Sequence, residues 1–173
     1  LSKSGGKALL QGAVARLHDQ LGLSLLFRHI DKNYHTFYGN TFTEGQSVNN
    51  RSGIYIGTRI LPVRFITFSV YSDLFQSRWP EFSTAAPARG REFFSQADFR
   101  ISENAELYVR YSNKNKKQKS TLTERYINQS GRTQRSRVNL VYTPVTDVTL
   151  KTRFEHVQYT FGEKENGIIF LQD

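Results

Sequence analysis

Apolar and polar residues alternate along most of this chain with a period of two. The clearest case is SGIYIGTRILPVRFITFSVYSDL, residues 52–74. Ile54, Ile56 and Ile60 fall on one side of an extended backbone, and Tyr55, Gly57 and Arg59 on the other. Past a Pro-containing turn, LPVR, Ile66, Phe68 and Val70 oppose Thr67, Ser69, Tyr71 and Asp73. Successive side chains of a strand point to opposite faces, so the stretch predicts an antiparallel hairpin with one apolar face. The same reading predicts strands at about 7–18, 23–34, 53–60, 65–74, 91–101, 106–113, 132–142, 148–161 and 167–172. Helical periodicity is nearly absent.

The connections between these segments alternate in length. DQLG, LPVR, SENA and TPVTD are short, whereas HTFYGNTFTEGQSVNNRS, FQSRWPEFSTAAPARG and KNKKQKSTLTERYINQSG are long; only the last loop, GEKENG, breaks the alternation. A meander with short turns at one end and long loops at the other is the arrangement of outer-membrane barrels. A tilted spanning strand needs about 9–11 residues, close to the segment lengths here. The fold expected is therefore all-β: an antiparallel up-and-down transmembrane β-barrel. The chain would supply eight or nine strands of a larger one as a single domain, 1–173.

That fold assigns the faces. Ile54, Ile56, Ile66, Phe68, Val70, Leu107, Val109, Val138 and Leu140 are the residues expected to face lipid. Arg100, Arg110, Arg135, Arg137 and Arg153, with Asp98, Glu106 and Glu155, are the charged residues expected in the lumen. There the arginines either favour anions in an open pore or pair with the carboxylates to fill it. In the first segment Leu9, Ala13, Ala15 and Leu17 share a face, but Leu10 and Val14 make the opposite face apolar too.

Composition adjusts this picture. The chain has 173 residues and no cysteine, which excludes zinc–thiolate sites, thiol catalysis and disulfides. No run of about 18 apolar residues is present, so no transmembrane helix is expected. The apolar fraction of 38% is low for a helical membrane protein and ordinary for a barrel, where every second residue meets lipid. The absence of Met suggests a piece of a longer protein. A net charge of +9 allows contact with anionic headgroups or another polyanion.

Three stretches carry a resemblance. NNRSGIYIGTRILPVRFITFSVYSDLFQSRWPEFSTAAPARGREFFSQADF, ELYVRYSNKNKKQ and GIIFLQD resemble the C-terminal barrel region of Bacteroidota proteins labelled helix-hairpin-helix domain-containing. The likeness covers nearly the whole chain. Its most specific parts are Tyr71–Asp73–Phe75 with Trp79–Pro80, the stretch from Pro87 to Gly90, and Tyr108–Arg110–Tyr111. It implies an outer-membrane barrel preceded by helix-hairpin-helix repeats, which this sequence does not contain. It carries over no catalytic residue.

Candidate chemistry is sparse. Lys114, Lys116, Lys117 and Lys119, with Arg132 across the same loop, form a basic cluster that suits lipopolysaccharide phosphates or simply a solvated loop tip. Phe37, Tyr38, Phe42, Phe75, Trp79 and Phe82 lie beyond strand ends, where an aromatic girdle or a sugar-stacking mouth would sit. His18, His29, His35 and His156 lack metal-site spacing. Asp73, Glu92, Asp98 and Glu106 have arginine neighbours, which suit ion pairing better than acid–base work. The NQS at Asn128 matches a glycosylation sequon of little meaning in a bacterial envelope.

The expectation is a bacterial outer-membrane protein with a structural or transport-related role, not an enzyme, with no cofactor and no metal. Its partners would be outer-membrane lipid and lipopolysaccharide, with other envelope proteins as further candidates, and nucleic acid is not expected for this piece. The alternatives are a soluble all-β module binding a polyanion or carbohydrate, an enzyme housed in the lumen or loops, and an accessory to DNA uptake acting through the helix-hairpin-helix segment.

Overall fold

The computed structural model of the chain describes residues 5–35, 49–80, 84, 87–122, 125–145 and 147–173, with the backbone alone at 121, 122, 125 and 126. The fold is all-β. Nine strands form one antiparallel meander: β1 (Ala8–His18), β2 (Leu21–Ile30), β3 (Arg51–Val63), β4 (Ile66–Ser77), β5 (Ala88–Ser102), β6 (Ala105–Leu122), β7 (Arg125–Val145), β8 (Val148–Phe161) and β9 (Glu163–Gln172). Each strand pairs with its sequence neighbours, in the order β1 to β9. Among the described residues β1 and β9 do not pair with each other.

Tight turns at Asp19–Gln20, Arg64–Phe65 and Glu103–Asn104, and a fourth at Asp147, all lie at one end of the sheet. The expected LPVR turn is corrected by one step. Leu61–Val63 continue β3, and a register irregularity between Ile60 and Val63 accommodates Pro62, which has no N–H to give to a ladder.

The opposite end departs further from expectation. Of the stretch KNKKQKSTLTERYINQSG, read above as a loop, residues 114–122 and 125–131 are strand. β6 runs for 18 residues and β7 for 21, paired out to Leu122↔Arg125. This extension has no alternating apolar face, so the period-two signal vanishes although backbone pairing continues. Lys114, Lys116, Lys117, Lys119 and Arg132 therefore stand on paired strands and not on a loop. GEKENG is corrected likewise. The chain reverses at Gly162, whose φ of 77° suits glycine, and Glu163 already begins β9. β2 ends at Ile30 instead of Tyr34.

One sheet with no second layer can bury side chains only where it curls over them. It buries few apolar ones: Ile30, Phe75 and Ala88. Polar and charged residues are buried in their place, among them Arg28, Asp73, Asn139 and Glu155. The side chains this sheet buries are mostly polar.

Candidate functional site

Directly paired residues of antiparallel strands share a face. Following the register from strand to strand gives each side of the sheet. On one side Leu21, Ile60, Phe68, Ala97, Val109, Val138, Phe154 and Phe170 form an unbroken apolar row from β2 to β9. Ile54, Ile56, Ile66, Val70, Leu107 and Leu140 lie on the same face. So do Leu25, Leu74, Phe93, Leu150 and Ile168. This face is open: Leu74 is 55% exposed, Ile101 62% and Phe170 63%. Soluble monomers rarely present a continuous apolar patch above a few hundred Å².

On β6 the apolar side chains of this face end at Tyr111, and Asn113, Asn115, Lys117 and Lys119 follow. On β7 the sequence Tyr142, Leu140, Val138 gives way to Ser136, Gln134 and Arg132. The apolar surface is thus a belt, and the long β6–β7 hairpin projects beyond it. The belt on β4 runs from Ile66 to Leu74, nine residues. At about 3.3 Å per residue and a tilt of about 40° it stands roughly 23 Å high, close to the ~25 Å band of membrane barrels.

The other face holds all eight charged residues expected there: Arg100, Arg110, Arg135, Arg137, Arg153, Asp98, Glu106 and Glu155. The structure joins some of them. Arg137 meets Glu155 at 2.6 Å, with a second bond from Nε at 2.7 Å. Arg100 and Glu106 lie 3.7 Å apart near a turn, both exposed, and such a pair contributes little. Asp98 pairs with no arginine among the described residues. It accepts from Gln96 Nε2 at 2.6 Å, and Gln96 Oε1 accepts from Arg110 Nε at 2.7 Å. Arg153 Nε donates to Asn139 Oδ1 at 3.3 Å.

The most buried ion pair was not foreseen. Arg28 of β2 crosses β3 to reach Asp73 of β4, its Nη2 donating to the two carboxylate oxygens at 3.0 and 2.7 Å. Both side chains are almost wholly buried. Gly53 of β3 makes the crossing possible, because a Cβ there would stand 3.0 Å from Arg28 Nε and 2.8 Å from the Leu74 carbonyl oxygen. Gly57 leaves room for Tyr55 in the same way, and Gly90 for the Phe75 ring. Side chains on this face lie flat along the sheet, over glycines. Those three glycines at inward positions were the available signal for the network.

The packing continues laterally. Tyr71 contacts Tyr55 at 5.2 Å between centroids and stacks on Phe94 at 4.7 Å; Arg110 lies over Phe94. Tyr71 donates to Glu92 Oε1 at 2.7 Å, and Lys114 Nζ approaches Glu92 Oε2 at 3.2 Å. Lys114 lies past the end of the apolar stretch on β6. Its own burial, with Lys116 and Arg135 close by, lowers its pKa to about 8 despite that carboxylate.

Among the aromatic candidates, Phe75 is inside β4 and buried, correcting its expected place beyond a strand end. Trp79 is exposed, with Lys32 Nζ 3.8 Å above its ring, and Asn50 Oδ1 accepts from the Arg78 and Trp79 amides. Phe37, Tyr38, Phe42 and Phe82 lie outside the described residues. His29 Nδ1 meets Ser52 Oγ at 2.8 Å, and His18 Nδ1 accepts from the Gln20 amide. No group of three metal-ligating side chains occurs among the described residues.

Compared with known proteins, the chain matches no family model, and neither a curated protein nor a solved structure is significantly similar to it.

Proposed function

We propose that this chain forms part of the wall of a bacterial outer-membrane β-barrel, with its apolar belt against lipid and its polar face lining the lumen. One observation carries the reading. The exposed face is apolar from β2 to β9, while the Arg28–Asp73 pair is buried on the other face. Water as the outer solvent would favour the reverse, and lipid favours this arrangement. All backbone groups of a spanning segment must pair within the protein, which a meander closed into a barrel achieves. The resemblance to Bacteroidota barrels points the same way.

The role is structural or transport-related, without catalysis. Arg28, Tyr55, Tyr71 and Phe94 lie flat and paired or stacked, so side chains held against the sheet line the lumen beside β2 to β5. The test is fractionation of cells making the full-length protein, with gel migration before and after heating. The expected result is recovery with the outer membrane and faster migration unheated. A soluble protein with unchanged migration would overturn the reading in favour of a basic soluble sheet that binds polyanions.

A further inference from the structure

We propose that the apolar face carries a site for an anionic, phosphate-bearing lipid at the upper edge of the belt. It is lined by Phe27, Ile54 and Leu74, with Arg91 at the end of their row and Arg78 and Arg89 beyond it. This rests on the barrel reading and specifies where on the wall a lipid is held.

The register builds the site. Phe27, Ile54, Leu74 and Arg91 stand in one row across β2 to β5, so three apolar positions end in a guanidinium. Arg89 lies two residues further along β5, paired with Gln76, and Arg78 follows the last residue of β4. Together they border a groove of about 570 Å³, within the ~300–1,000 Å³ of small-molecule sites. Among the described residues no carboxylate lines it. The three arginines are exposed and, among the described residues, none has an acidic partner. That contrasts with Arg28 and Arg137 on the other face, which do.

Guanidiniums with no acidic partner among the described residues, bordering an apolar floor, match the two halves of a phospholipid or phosphorylated glycolipid. Guanidinium binds phosphate through two parallel charge-assisted hydrogen bonds, a geometry lysine does not offer. The acyl chain lies on Phe27, Ile54 and Leu74, continuous with the belt. A free anion would leave that floor uncovered, which is why the occupant is a lipid.

The test uses full-length protein in detergent micelles, incubated with equal dioleoyl phosphatidylglycerol and dioleoyl phosphatidylcholine, with retained lipid read by native mass spectrometry. Heat-modifiable migration of each protein reports the folded barrel. The expected result is retention of phosphatidylglycerol over phosphatidylcholine, falling about tenfold or more in R89Q/R91Q, since each lost charge-assisted contact is worth over 1.4 kcal/mol. R64Q/K164Q removes the same charge at exposed positions away from the groove and should retain the lipid. Glycerol phosphate, lacking chains, should not displace it. Unchanged retention in a heat-modifiable R89Q/R91Q, or displacement by glycerol phosphate, overturns the site and leaves the barrel standing. A wild-type protein that never becomes heat-modifiable overturns both.

Discussion

Arg28 and Asp73 show what a single position demands in this protein. A buried ion pair gives little net stability against apolar replacements, but removing one partner strands a buried charge at about 3–5 kcal/mol. R28Q should therefore lose about that much in urea unfolding from detergent micelles. The double change R28M/D73L should recover most of it. Equal losses in both would mean that the side chains matter for packing and not for charge. Gly53→Val should resemble R28Q, because its side chain would occupy the space the guanidinium crosses. If Gly53→Val leaves the unfolding midpoint unchanged, Arg28 takes another path to Asp73.

For a strand, the proposed wall adds a second requirement, that its two faces meet different solvents. Val138 sits mid-row on the apolar face of β7. Val138→Arg should cost about 2–4 kcal/mol if that face meets the middle of a bilayer, but only about 0.5 if it meets water. Unfolding of the variant refolded into lipid vesicles separates the cases. The β6–β7 extension carries the opposite expectation. Lys117 is exposed beyond the end of the belt, so Lys117→Glu should change stability by no more than about 0.5 kcal/mol. A larger loss would place the extension against another part of the fold.

For the whole molecule the proposed barrel wall implies a direction across the membrane. Barrels of this kind keep short turns in the periplasm and long connections outside. The native chain has no cysteine, so single cysteines report cleanly. On intact cells, Lys117→Cys should react with an impermeant maleimide, while Glu103→Cys, in a tight turn at the other end, should react only after lysis. The reverse pattern would invert the proposed orientation. Labelling of both on intact cells would refute a spanning wall.

Local chemistry alone pointed to an antiparallel meander of eight or nine strands and to an apolar side on most of them. Period-two alternation is a property of neighbours in sequence, and segments such as Ile54–Ile60 and Ile66–Val70 state it plainly. The same signal failed over 114–122 and 125–131, where the sequence has no alternating apolar face and pairing is maintained by backbone hydrogen bonds that any residue but proline can make. Phe75 was misplaced for a related reason: its burial depends on Gly90 of the next strand, not on its own neighbours. Tertiary structure alone decided which charges meet. Arg28 and Asp73 are 45 residues apart and two strands apart in the sheet. Their contact needs β3 paired between β2 and β4 and the missing side chain of Gly53, and neither is written in the alternation of either strand.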